Sequence, residues 1–182
     1  MKITETKLKD VLIIEPAVFG DDRGYFFESY SKKKFEEYGV NYEFVQDNIS
    51  KSKKNTVRGL HYQVGDAAQG KLCEVVLGSV LDVAVDIRFG SPTFGQHVIC
   101  ELSDKNHNLI WIPPGFAHGF CVTSDEAIFH YKCTSFYSPK DERAILYSDA
   151  DLNIGWGISN PLVSEKDMNA KAFKDIEKDF TY

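Results

Sequence analysis

Apolar residues along the chain fall in short runs separated by turn chemistry at roughly 8- to 12-residue intervals, the pattern of a sandwich or barrel. The first is Leu12-Ile13-Ile14, stopped by Pro16. Gly24 to Tyr30 follows the polar corner Asp21-Asp22-Arg23-Gly24. The next are Arg58 to Gln63, Leu72 to Leu77, Val80 to Arg88, His97 to Leu102, Leu109 to Ile112, His118 to Thr123, Ala127 to Thr134 and Ala144 to Tyr147. Within Leu81 to Arg88 the pattern alternates, with Asp82, Asp86 and Arg88 on one face and aliphatic residues on the other. Leu77-Gly78-Ser79, Phe89-Gly90-Ser91-Pro92 and Pro113-Pro114-Gly115 mark turns. Helical signals lie only at the edges. Ser31 is placed to cap Lys32 to Tyr38, ended by Gly39, and Ser164 is placed as a cap with Asp167 three residues on. A weakly amphipathic helix is expected over Ala170 to Phe180. No linker or repeat divides the chain, so residues 1–182 are expected to form a single, mainly β domain with short flanking helices.

Composition narrows the class. Hydrophobic residues at 43 % and charged residues at 26 % are the balance of an ordinary globular domain. The start, MKITETKLKD, is too polar for a signal peptide, and no run approaches the roughly 20 apolar residues of a bilayer span. A cytoplasmic protein without a membrane partner is expected. The net charge of −6 argues against nucleic acid as a partner but allows a few arginines to hold a diphosphate in one cleft. Cys73, Cys100, Cys121 and Cys133 are widely spaced in apolar runs without a C-x-x-C pair, the arrangement of buried free thiols.

Several residues carry candidate chemistry. His61, in Arg58-Gly59-Leu60-His61-Tyr62-Gln63, reads either as a general base lining a pocket or as a structural histidine bonded across a sheet. His118 follows a rigid Pro-Pro-Gly turn and is flanked by Gly119, which lets a ligand approach closely. Tyr131 and Tyr137 share a face if their segment is extended, one as an acid and the other as a stacking surface, or both as plain packing. Arg23 and Arg58 stand beside glycines at corners, and Lys71 opens an apolar strand, an odd place for a solvated charge. A cupin-type metal site wants two histidines one residue apart, yet Gln63 occupies the position after next from His61. The metal reading is therefore weak.

Together these residues resemble the dTDP-4-dehydrorhamnose 3,5-epimerases. The likeness runs almost end to end, through Gly20-Asp21-Asp22-Arg23-Gly24, Gln46-Asp47-Asn48, Arg58-Gly59-Leu60-His61-Tyr62-Gln63, Gln69-Gly70-Lys71, Ser91-Pro92-Thr93-Phe94-Gly95, Gly115-Phe116-Ala117-His118-Gly119-Phe120 and Ser164-Glu165-Lys166-Asp167. It implies a cupin-type jelly-roll sandwich, a homodimer, no metal or cofactor, and a dTDP-4-keto-6-deoxyhexose as substrate. It makes His61 the base, Asp167 its orienting carboxylate, Tyr131 the acid on the opposite sugar face, and Lys71 a clamp at the ketone. Arg23, Arg58 and His118 are implied to hold diphosphate and sugar. Phe26, Glu28, Gln46, Asp47, Asn48, Glu142 and Lys166 are implied to line the nucleotide end, with Tyr137 stacked on thymine. Arg58 and His61 are an odd number apart, so the reading requires a bulge at Gly59. Epimerisation at one carbon, a ketoisomerase, a non-catalytic sugar-binding cupin and a metal-dependent oxygenase are the competing readings. The segment 1–16 is expected to be exchanged between protomers, because its one apolar run has little to pack on in its own chain.

Overall fold

The computed structural model describes residues 1–182. Two antiparallel sheets face each other. The larger runs β1 (Lys2–Glu5), β2 (Leu12–Glu15), β10 (Leu109–Ile112), β7 (Lys71–Leu77), β12 (Glu126–Cys133), β5 (Gln46–Lys53). The smaller runs β13 (Glu142–Ala144), β6 (Val57–Gln63), β11 (Phe116–Val122), β8 (Ser79–Asp86), β9 (His97–Ser103). A separate hairpin pairs β3 (Phe19–Asp21) with β4 (Gly24–Phe26). Inward residues of both sheets, among them Cys73, Val80, Ala84, Leu102, Phe120 and Phe129, make one core between them. The jelly-roll expectation holds.

Three covered faces explain where the elements differ from expectation. Asp82 and Asp86 are fully buried rather than on a wet face, because β8 is an interior strand with both sides covered. Asp82 shares its side with Val80 and Ala84 in the core between the sheets, while Val83 and Val85 pack behind the smaller sheet. That rear face is covered by the C-terminal segment. No helix forms over Ala170 to Phe180: apart from a single turn at Phe173–Asp175 the segment lies flat, with Phe173, Ile176 and Phe180 on the sheet. Backbone bonds between Phe89 and both Phe180 and Tyr182 tie it down. A flat strap covers more sheet than one turn of helix would, and tertiary packing overrides a weak helical pattern.

The N-terminal segment also departs from its reading. Leu8, Val11 and Ile14 are fully buried, and β2 pairs with β10 of the same chain. The apolar run thus has a place in its own chain and does not by itself demand a partner. Helix α1 (Lys32–Glu37) matches the expected span, with Phe35 buried against Ile14, Leu72 and Trp111, although Ser31 makes no capping bond. The expected strand at Gly24–Tyr30 ends at Phe26, and the one at Ala144–Tyr147 lies earlier, at β13.

The bulge required at Gly59 is present. His118 pairs with His61 while Phe120 pairs with Arg58, so β6 carries one extra residue there. Gly59 sits at φ +125°, and a Cβ on it would lie 2.5 Å from Gly119 Cα. Only glycine fits this approach of β6 to β11.

Candidate active site

The bulge turns Arg58 and His61 into one hollow between the sheets. Its two lobes, about 310 and 240 Å³, share His61, Lys71 and Tyr131. The smaller sheet contributes Arg58, His61, Gln63, His118 and Glu142, and the larger contributes Gln46, Asn48, Ser50, Lys71 and Tyr131. Acidic and basic chemistry therefore faces itself across a gap.

His61 is oriented from outside the sheets. Helix α2 (Glu165–Met168) begins at Ser164, whose Oγ accepts the Asp167 N–H at 3.1 Å. The turn places the Asp167 carboxylate 2.6 Å from His61 Nε2, with its second oxygen accepting from Gly59 N–H at 3.4 Å. Burial pushes the Asp167 pKa up, but the bond and charge of His61 outweigh it and hold the carboxyl below its ordinary value. An ionised Asp167 accepts a hydrogen bond from Nε2–H, which leaves Nδ1 as the basic nitrogen.

Across the hollow, Tyr131 is half-buried between strands, and burial pushes its pKa up to about 12. The ring is a phenol at neutral pH. Lys71 Nζ lies 6.0 Å from its centroid. On the floor, His118 Nε2 meets both oxygens of Asp82, at 2.9 and 3.1 Å. At the mouth, Tyr137 is half exposed; its hydroxyl donates to Glu142 Oε2 at 2.9 Å, and Lys166 pairs with the same carboxylate. Gln46 accepts the Tyr137 N–H at 2.9 Å and donates to Asn48 at 2.9 Å, which ties the mouth to β5.

Most of the sequence-derived residues thus converge: His61, Asp167, Tyr131, Lys71, Arg58, His118, Gln46, Asn48, Tyr137, Glu142 and Lys166. Four do not. Asp47 points out of the far side of β5 and pairs with Lys132 at 2.9 Å, since its neighbours Gln46 and Asn48 take the inward positions. Arg23 folds back on Asp21, Phe26 is exposed on the hairpin, and Glu28 pairs with Lys34 at 2.8 Å, none of them at this hollow. Conversely, Ser50, Ser52, Gln63, Gln69, Cys73 and Asp82 belong to the site or its floor and were not foreseen. Ser52 receives Arg58 Nε at 3.1 Å, and Ser50 Oγ is buried without a hydrogen-bond partner. A signal existed for Asp82, an acid in the middle of an otherwise aliphatic strand. Cys73, Asp82 and His118 are the one group whose donor atoms cluster closely enough to suggest a metal. Within this group His118 Nε2 is bonded to Asp82 and burial pushes the Cys73 pKa well up.

Fold and site define a cupin-type sandwich with an imidazole held by a carboxylate on one wall of its hollow and a phenol on the other. The family model for dTDP-4-dehydrorhamnose 3,5-epimerase matches residues 5–175, and the chain belongs to that family. It is 57 % identical to a dTDP-4-dehydrorhamnose 3,5-epimerase of Shigella flexneri over 97 % of this chain and 98 % of the relative. A Legionella pneumophila dTDP-6-deoxy-D-glucose-3,5-epimerase, solved in complex with dTDP-4-keto-L-rhamnose, superposes with TM-score 0.96 at 48 % identity, covering 100 % of this chain and 98 % of its own. A 3′-monoepimerase of Streptomyces bikiniensis, solved with dTDP-quinovose, superposes with TM-score 0.88 at 30 % identity, covering 93 % and 86 %.

Proposed function

We propose that the chain catalyses cofactor-independent 3,5-epimerisation of dTDP-4-dehydro-6-deoxy-D-glucose to dTDP-4-dehydro-L-rhamnose. The observation that carries this reading is the placement of a carboxylate-held imidazole and a half-buried phenol on facing sheets of one hollow, with the Lys71 side chain beside the phenol. A hydrogen next to a ketone leaves as a proton when a base takes it and the electron pair flows to the carbonyl oxygen. His61 Nδ1 takes that proton, and Asp167 stabilises the imidazolium that results. The C–H pair becomes a C=C bond, the ketone oxygen becomes an enolate, and Lys71 meets the new charge. Preorganised charge of this kind lowers a barrier by roughly 3–4 kcal/mol. The enolate pair then forms a new C–H bond with the Tyr131 proton, delivered from the other wall, and the carbon is inverted. The phenolate regains a proton from solvent and the His61 imidazolium gives its own proton up to solvent, so that base and acid are both reset. C3 and C5 flank the same C4 ketone, so one base and one acid serve both.

The nucleotide end follows from the mouth. Arg58 and the Glu142–Lys166 pair offer diphosphate and nucleoside contacts, and Tyr137 offers a ring for thymine. Arg23, Phe26 and Glu28 have no place in their own chain's hollow, yet the hairpin that carries or adjoins them exposes Phe19, Tyr25 and Phe26 by more than half. Such a patch invites protein contact. A homodimer in which each hairpin reaches the partner's mouth gives those residues the role that the family likeness implies. The cytoplasm is the compartment assigned, in keeping with four free cysteines. Incubation with dTDP-4-keto-6-deoxyglucose in D₂O tests the reaction: deuterium at both C3 and C5 is expected. Label at one carbon alone would make the chain a monoepimerase like its Streptomyces bikiniensis neighbour, and no label would remove the epimerase reading.

A further inference from the structure

We propose that Asp82 is a positioning residue of this reaction, holding His118 with its proton on Nε2 so that Nδ1 faces the sugar as a hydrogen-bond acceptor. The inference rests on the reading of the hollow as the sugar site. Asp82 comes from β8 and His118 from β11, neighbouring strands whose inward side chains meet on the floor between the sheets. Asp82 is wholly buried, and its two oxygens have one protein partner, His118 Nε2. The remaining flank of Nε2 is closed by Cys73 Sγ at 4.0 Å. A buried carboxylate with a single partner is a costly way to fill a core, and an apolar residue of its size would serve stability as well or better. What it does supply is a fixed tautomer.

The consequence appears at the other nitrogen. His118 lines the inner lobe beside Arg58, His61, Lys71 and Tyr131, and its Nδ1 neither bonds to the protein nor is sealed from the hollow. Burial pushes the His118 pKa down, against the pull of Asp82, so the ring is neutral at pH 7. With Nε2–H given to Asp82, Nδ1 carries a lone pair. A lone pair repels a ketone oxygen and attracts a hydroxyl. The floor and wall thus divide the substrate between them: Lys71 donates to the ketone, and His118 accepts from a sugar hydroxyl, turning the ring so that its acidic C–H faces His61. This differs from the His61–Asp167 pair, which moves a proton; the His118–Asp82 pair keeps its own.

Long-range ¹H–¹⁵N correlation on histidine-labelled full-length protein without ligand reads the tautomer directly. A neutral, Nε2-protonated His118 at pH 7 is expected; a Nδ1-protonated ring or an imidazolium would overturn the proposal. That spectrum does not depend on any substrate, so it stands apart from the deuterium experiment on the function. In turnover, Asp82→Leu is expected to lower kcat about 10- to 100-fold, a loss comparable to that from removing the partner of a metal-bound histidine. Asp82→Asn, close in size but with an amide that can donate to Nε2 and so release the tautomer, should also lose kcat at a similar melting temperature, an effect that a merely structural role for Asp82 would not produce. Full kcat in a folded Asp82→Leu protein would equally overturn it. Should Asp82→Leu fail to fold, the spectrum of the unaltered protein decides.

Discussion

The proposed mechanism gives His61 and Tyr131 different jobs, and substitution should separate them. His61→Ala is expected to abolish solvent exchange at both carbons. Tyr131→Phe is expected to lose inverted product while keeping exchange, since His61 can return the proton it took; a mass spectrum of recovered substrate in D₂O distinguishes these outcomes. Asp167→Asn should fall between them, because it spoils the tautomer and spares the base. Ser50 gives an independent check. Its hydroxyl is buried and unpaired in the free protein, so Ser50→Ala should raise stability by about 1 kcal/mol in a denaturant titration. If that hydroxyl serves the sugar, the same change lowers kcat/KM. At this scale the sequence was informative wherever a residue sat inside a distinctive motif: His61 in Arg58-Gly59-Leu60-His61-Tyr62-Gln63, and His118 beside Gly119. It was silent on Ser50, and it showed Asp82 only as an acid among aliphatic residues, because the meaning of both depends on what lies across a strand or a sheet. Asp47 shows the converse error, since a run of three polar residues on a strand cannot all face one way.

Among the elements, strand β5 escaped the hydrophobic pattern because neither of its faces is apolar. Its inner positions Gln46, Asn48 and Ser50 line the hollow, Ser52 behind them holds Arg58, and its outer positions are mostly charged. A strand that borders a cavity has no core to announce it. The C-terminal segment misled for another reason: spacing that suits a helix face also let Phe173, Ile176 and Phe180 lie on a sheet. The turn Asp86 to Thr93 is held by one carboxylate. Burial pushes the Asp86 pKa up, but hydrogen bonds from Arg88, Thr93 and Ser91 bring it down to about 2. A depressed carboxyl stabilises the fold above its unfolded pKa and loses that contribution as pH falls through its folded one. Stability should therefore drop by about 2 kcal/mol between roughly pH 4 and pH 2 through this residue, and Asp86→Asn should remove that step. Urea melts across this range measure it. At the mouth, Tyr137→Ala is expected to raise KM about 5- to 150-fold, equivalent to roughly 1–3 kcal/mol of base stacking, with kcat little changed.

Taken whole, the molecule gives the proposed homodimer a sharper test than its mass. Each site would combine one chain's His61 with the other chain's Arg23 and Phe26. His61→Ala and Arg23→Ala proteins, each weakly active, should then regain up to about a quarter of full activity when mixed and refolded, because half of the pairs are mixed and each has one intact site. No recovery, or a fully active monomer by light scattering, would remove the exchange. Treatment with EDTA, followed by a check for residual metal, should leave turnover unchanged; dependence on added Zn²⁺, Fe²⁺ or Mn²⁺ would overturn the cofactor-free mechanism. The sandwich itself was readable from short runs and turns, but the facing of base and acid was not, because sequence does not say which strands oppose. That opposition has a mechanical side. His61 is fixed to one sheet and Tyr131 to the other, so the jaw opening is set by what props the sheets apart, including Phe120 stacked on Phe129 with centroids 4.2 Å apart. The pair works as a spacer in a calliper. Reaction rates fall steeply, about 100-fold for a displacement near 1 Å, so a thinner or thicker spacer would detune the enzyme without touching either reacting carbon.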